Sequence, residues 1–141
     1  MRAELRAEPS RAPRALVIED SEHTAYLLAF MLERAGYEVT TVNNGRDAER
    51  QLEEQTAASI VLLDLMLPHV DGFQLLMQIR EHAWWRNVPV IVLSAKVGEA
   101  DIVRAFELGA DDYVTKPFRP NELLARIRRL TPKYPAAIAA S

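Results

Sequence analysis

The chain has 141 residues, 49% of them hydrophobic, a formal net charge of -3 and no cysteine. That size and apolar content suit one domain with a real core and argue against wholesale disorder. The charge gives no reason to expect nucleic acid or an acidic membrane as a partner, and the lack of cysteine excludes disulfides, thiolate metal sites and cysteine nucleophiles.

Absence of cysteine also fits a reducing compartment. No apolar run approaches the roughly 18 residues of a membrane span. Residues 1–13 carry Arg2, Arg6, Arg11 and two prolines, without the apolar centre of a secretory signal. They read as a disordered leader, and the expected location is the cytoplasm.

The first apolar run is Ala15, Leu16, Val17 and Ile18, a strand that ends in Glu19 and Asp20. Ser21 follows as a helix cap. Over residues 22–35, Leu28, Met31, Leu32 and Ala35 fall on one helical face, and Gly36 stops the helix. Residues 37–42 form a β-rich strand toward an edge, and Asn43, Asn44 and Gly45 turn the chain. A polar helix over residues 46–55 turns only Ala48 and Leu52 inward.

Ile60, Val61, Leu62 and Leu63 form a continuous apolar run leading to Asp64. Such a run reads as a strand buried on both faces. Asp64 at its end either caps a turn or stands at the rim where open α/β sheets bind ligands. Asp71 can cap a helix with Phe73, Leu76 and Met77 inward and Ile79 beside them. Residues 82–87 connect, with one of Trp84 and Trp85 packed and the other exposed. Residues 88–93 are a fourth strand, leading to Ser94, Ala95 and Lys96. A helix over residues 99–108 buries Ile102, Ala105 and Phe106 before Gly109 stops it. Tyr113, Val114 and Thr115 form a fifth strand, followed by Lys116 and Pro117. The last helix begins near Pro120, with Leu123, Ile127 and Leu130 on one face and no capping side chain at Arg119.

Regular alternation of buried strands and helices predicts an α/β fold, a doubly wound parallel sheet covered on both faces. Parallel strands place Glu19, Asp20, Asp64, Ser94 and Lys116 on one rim. Three carboxylates there repel one another, and a hard divalent cation such as Mg²⁺ resolves the repulsion. Lys116 and the Ser94 hydroxyl can hold phosphoryl oxygens. No glycine-rich phosphate loop is present, so no nucleotide cofactor is implied.

The pattern resembles the receiver domain of bacterial two-component response regulators, related to CheY. It rests on four stretches: Val17 to Ser21; Asp64, Leu65, Met66, Leu67 and Pro68 with Asp71 and Gly72; Leu93, Ser94 and Ala95; and the run from Gly109 to Phe118. The likeness spans about residues 16–130, within a domain expected over 14–131. Residues 132–141 are expected to be a tail or truncated linker.

The resemblance implies a flavodoxin-like sheet of five strands in the order 2-1-3-4-5 with five helices. It implies that Asp64 takes a phosphoryl group from a sensor histidine kinase or phosphotransfer protein. Asp20, Asp64 and the Met66 backbone carbonyl would bind Mg²⁺ directly, and Glu19 through water. Lys116 would pair with the phosphoryl oxygens, aided by a cis Lys116–Pro117 bond. Ser94 and Tyr113 would switch together. Arg104, Asp111, Asp112, Glu122 and Arg126 resemble a charge pattern that supports homodimers through the fourth helix, fifth strand and fifth helix. The implied protein is a signalling switch that catalyses only its own phosphorylation and dephosphorylation, with no direct nucleic-acid binding by this chain. Glu19 departs from a common Asp and Ser94 from a frequent Thr. Met66 and Lys96 occupy positions that influence dephosphorylation.

Two other readings fit less well. A phosphatase of the haloacid dehalogenase type would need a second acid two residues after the nucleophile, where Met66 stands. A flavodoxin-like electron carrier would need a Ser/Thr/Gly-rich phosphate loop, and Glu19, Asp20, Ser21 and Glu22 are too acidic for one.

Overall fold

The computed structural model describes residues 12–131. The expected leader, apart from its last two residues, and the expected tail lie outside the described residues. Pro13 is the final leader residue, and its carbonyl accepts a hydrogen bond from the Glu38 amide at 2.9 Å.

Ten elements alternate along the chain: β1 (Arg14–Ile18), α1 (Glu22–Arg34), β2 (Glu38–Val42), α2 (Gly45–Gln51), β3 (Ile60–Leu63), α3 (Gly72–Glu81), β4 (Val90–Ser94), α4 (Glu99–Glu107), β5 (Asp112–Thr115) and α5 (Pro120–Leu130). The strands form one sheet, β2-β1-β3-β4-β5, with every pair parallel. This is the order expected, with β2 on an edge. Among the described residues no helix is long and apolar enough to cross a membrane.

The central strands lack polar alternation because both of their faces are covered. Leu16, Ile18, Val61, Leu63, Val90 and Val92 pack with α2, α3 and α4. Ala15, Val17, Ile60, Leu62, Ile91 and Leu93 pack with α1 and α5. Ser21, Asn44 and Asp71 cap α1, α2 and α3 with side-chain oxygens. Arg119 precedes α5 without such a bond. Gly36 ends α1 at φ +99, a conformation that side chains with a Cβ resist.

Three expectations about helices are corrected. The second helix ends at Gln51, not near residue 55, although Ala48 and Leu52 are buried as expected. In α3 the buried arc is centred on Leu75, Leu76 and Ile79, so Met77 turns outward and is 41% exposed. In α4 only Ala105 is fully buried. Phe106 is one position, about 100° of helix, further round and is exposed, while Leu108 packs against the core instead. Trp85 is buried, its Nε1 donating to the Glu54 carbonyl at 3.0 Å, and Trp84 is exposed.

Gly72 sets how closely α3 approaches the end of β3. A Cβ there would lie 2.4 Å from the Leu65 Cα and 2.7 Å from its carbonyl oxygen. Both are backbone atoms and cannot swing aside. Gly72→Ala is therefore expected to lower the unfolding free energy by about 1–3 kcal/mol, read from urea denaturation. An unchanged midpoint would show that the helix can retreat without cost.

Candidate functional site

The sheet register assembles the site. Ile18 pairs with Leu63, so Glu19 and Asp64 emerge side by side where β1 and β3 end. Ser94 pairs with Thr115, which places Lys116 next to the end of β4. The sequence-predicted residues Glu19, Asp20, Asp64, Ser94 and Lys116 thus share one rim. Glu19, Asp64 and Ser94 are buried there, while Asp20 faces solvent.

Lys116 Nζ donates to Glu19 Oε1 at 2.8 Å and to Asp64 Oδ2 at 3.1 Å. Asp64 Oδ1 accepts from the Met66 amide at 3.0 Å, and Glu19 Oε2 accepts from the Ser21 amide at 3.1 Å. Each buried carboxylate therefore has one side-chain and one backbone partner, which satisfies much of its need. Carboxylate oxygens of Glu19, Asp20 and Asp64 lie within 4.8 Å of one another. Oxygen donors of this charge suit a hard cation. The Lys116–Pro117 bond is cis.

Burial raises the Glu19 pKa above its ordinary value, and the nearby Asp64 charge adds to this; the bond to Lys116 opposes both without reversing them. Burial works against the Lys116 ammonium, but its bonds to Glu19 and Asp64 prevail and raise its pKa. Two acids sharing one cation leave negative charge over, and that excess is what a divalent ion can neutralise.

Ser94 and Tyr113 share a junction beyond their own side chains. They meet through the backbone of Lys96. The Lys96 amide donates to Ser94 Oγ at 3.1 Å, and the Tyr113 hydroxyl donates to the Lys96 carbonyl at 2.8 Å. Sequence reading marked the Lys96 side chain, whereas the structure makes its peptide the junction. A backbone role carries no residue-type signal.

The five charges expected on a dimer face divide. Asp112 accepts from Arg126 at 2.9 Å, and Glu122 pairs with the same guanidinium at 3.1 Å. Asp111 instead binds Arg80 at 2.9 Å and the Val90 amide at 2.8 Å. The Arg104 guanidinium lies over the Phe73 ring, 4.2 Å from its centroid. His69, in the loop after Asp64, is exposed and holds φ +77, a conformation uncommon outside glycine.

One feature of α1 escaped sequence reading. Tyr26, Leu27 and Phe30 are 72%, 40% and 50% exposed. The signal was available, because all three are apolar yet fall off the Leu28, Met31, Leu32 stripe. Tyr26 and Leu27 flank the site on either side. A cleft of about 810 Å³ includes Glu19, Glu22, Tyr26 and Asp47. A second, of about 390 Å³, is lined by Thr24, Leu27, Lys116, Pro117, Phe118 and Pro120.

A doubly wound sheet with an acid cluster, a lysine and a hydroxyl at its C-terminal rim defines a class of phosphate-handling signalling domains. The chain belongs to the response regulator receiver domain family, whose pattern matches residues 15–128. It is 47% identical over 115 residues to the transcriptional regulatory protein GltR of Pseudomonas aeruginosa, a match covering 82% of this chain and 47% of GltR. It is 48% identical over 113 residues to the sensory transduction protein RegX3 of Mycolicibacterium smegmatis, covering 80% of this chain and 48% of that protein. The chain thus spans about half the length of these curated relatives. Among solved structures, it resembles the receiver domain of a Pseudomonas aeruginosa sensor histidine kinase, which holds a magnesium ion in its active-site cleft. That likeness has a TM-score of 0.77 and 33% identity, covering 84% of this chain and 97% of the other. These relatives are signalling proteins, and none supports the phosphatase or the electron carrier.

The raised pKa of Glu19 has a consequence for stability. Between 4.5 and the higher folded pKa, the glutamate is more ionised in the unfolded chain than in the folded one. The folded state then binds more protons, so stability from this group falls as pH rises from 4.5 through the higher folded value. Glu19→Gln is expected to raise the urea midpoint of the metal-free protein at neutral pH and to converge on wild type as pH falls below 4.5. A lower midpoint for the variant at neutral pH would show that the Lys116 pair outweighs burial.

Proposed function

We propose that Asp64 is the phosphoacceptor of a two-component signalling system, in a folded unit of residues 14–131 acting in the cytoplasm. The observation that carries this reading is the setting of its carboxylate. Asp64 is 5% exposed, with one oxygen held by the Met66 amide and the other facing Lys116 beside two more acids. An Asp64 oxygen attacks the phosphorus of a phosphohistidine, the P–N bond breaks, and the imidazole leaves as an acyl phosphate forms. Lys116 then pairs with phosphoryl oxygens as Asp64 loses part of its charge. Asp20, Asp64 and the Met66 carbonyl would hold Mg²⁺ directly and Glu19 through water; the bound ion supplies positive charge against the phosphoryl oxygens.

The donor is a sensor histidine kinase or a phosphotransfer protein. Its docking surface is the exposed apolar part of α1, because the cleft at Leu27 is continuous with Lys116. The domain acts only on its own phosphorylation state and turns over no metabolite. Phosphorylation draws the Ser94 hydroxyl toward the phosphoryl group, which releases the Lys96 amide and loosens its junction with Tyr113. The affected face comprises α4, β5 and α5, and through it the domain controls a partner or effector. Self-association through this face can use Asp112, Glu122 and Arg126 with the exposed Val103 and Phe106.

Incubation with acetyl phosphate and Mg²⁺ is expected to label wild type and not Asp64→Asn, as read by intact mass. Equal labelling of both would remove Asp64 as the acceptor. Met66 offers no strong hydrogen-bond acceptor to a water, so the label should persist for minutes or longer after donor removal. Loss within seconds would contradict this. In sedimentation, Arg126→Glu should reduce any dimer formed on phosphorylation; an unchanged dimer fraction would place the interface elsewhere.

A further inference from the structure

We propose that Met66 is a redox modification site, and that its sulfoxide shortens the life of the phosphoryl group on Asp64. This rests on Asp64 being the phosphoacceptor. The chain has no cysteine, so thioethers are its only sulfur groups. Among the described methionines, Met66 is the most exposed at 55%, against 41% for Met77, while Met31 is partly buried against the core. Met66 is also the first solvent-facing side chain after the buried carboxylate, since Leu65 is 2% exposed. Its amide donates to Asp64 Oδ1 at 3.0 Å, so this residue is tied to the reacting group.

The chemistry needs only a peroxide. One oxygen atom passes from the peroxide to the thioether sulfur; sulfur loses two electrons, and hydrogen peroxide is reduced to water. The product replaces a weak acceptor with a strongly polar S=O acceptor. Hydrolysis of an acyl phosphate requires a water held for attack at phosphorus. The thioether cannot hold it by hydrogen bonding, and the sulfoxide can. A hydrogen bond of ordinary strength formed only in the transition state corresponds to about a fivefold rate increase. Reduction of the sulfoxide by a methionine sulfoxide reductase would restore the long-lived state, so the modification is reversible.

The test treats the whole chain with hydrogen peroxide, maps oxidised methionines by peptide mass spectrometry, and then phosphorylates with acetyl phosphate and Mg²⁺. Label decay is followed by intact mass. Oxidation of Met66 is expected ahead of Met77, with decay about fivefold faster than in the untreated protein. Met66→Leu, compared with itself before and after peroxide, should show no change in decay. Met77→Leu should keep the full response, and treatment with methionine sulfoxide reductase should reverse it. Preferential oxidation of Met77, or an oxidised Met66 with unchanged decay, would overturn the proposal. Failure of wild type to take label on Asp64 at all is a separate result, and it would remove the phosphoacceptor reading itself.

Discussion

Lys116 is the contact on which the rim depends. Two buried acids face each other across the ends of β1 and β3, and a single ammonium bonds to both. Without it, Glu19 and Asp64 would be buried like charges, a costly arrangement. With it, burial still holds the Glu19 pKa above its ordinary value. The fold therefore spends stability to keep negative charge unneutralised at one point. The cation and phosphoryl binding proposed for the site would need this property, because a fully satisfied cluster would have nothing left to offer either.

The same rim is coupled to the surface through the Lys96 peptide. Ser94 holds its amide and Tyr113 its carbonyl. One side chain belongs to the end of β4 and the other to β5, so the junction spans two strands and the loop leading to α4. In the proposed switch, a hydroxyl that moves toward a phosphoryl oxygen moves away from the Lys96 amide. The coupling needs no long chain of contacts, because the two elements it joins are adjacent.

Much of this was legible in the sequence. The four apolar runs ending in polar residues specified both the parallel sheet and the rim, because fully buried strands admit few polar positions other than their ends. Asp71 and Ser21 were readable as caps because capping is local chemistry. What escaped reading depended on the rotation of a helix or on backbone contacts. Met77 and Phe106 sit one position beyond the buried arcs of α3 and α4, and an i, i+3, i+4 pattern admits either edge. The division of the dimer-face charges was equally hidden. Arg104 turns to the Phe73 ring and Asp111 to Arg80, which are partners 31 residues distant in each case, and spacing within one helix says nothing of them.

The distribution of stability suits the switching proposed above. α3 buries Phe73, Leu75, Leu76 and Ile79, and Arg80 ties its end to the carbonyls of Val88 and Gly109. α4 has one fully buried residue and an N-cap, Gly98, with no side-chain bond. Besides Leu108, which packs against the core at its end, its anchors are peripheral: Arg104 on the Phe73 ring, and Asp101 at 3.9 Å from the Lys96 ammonium. Helices with few buried apolar contacts are the ones that open at low free-energy cost. The weakly held helix is also the one that follows the Ser94–Lys96 junction. A change of one hydrogen bond, worth about 1 kcal/mol, is small against the stability of a whole domain but comparable to what holds such a helix in place. On the proposed role of Asp64, that match of scale would let a chemical event there be read on the α4 face.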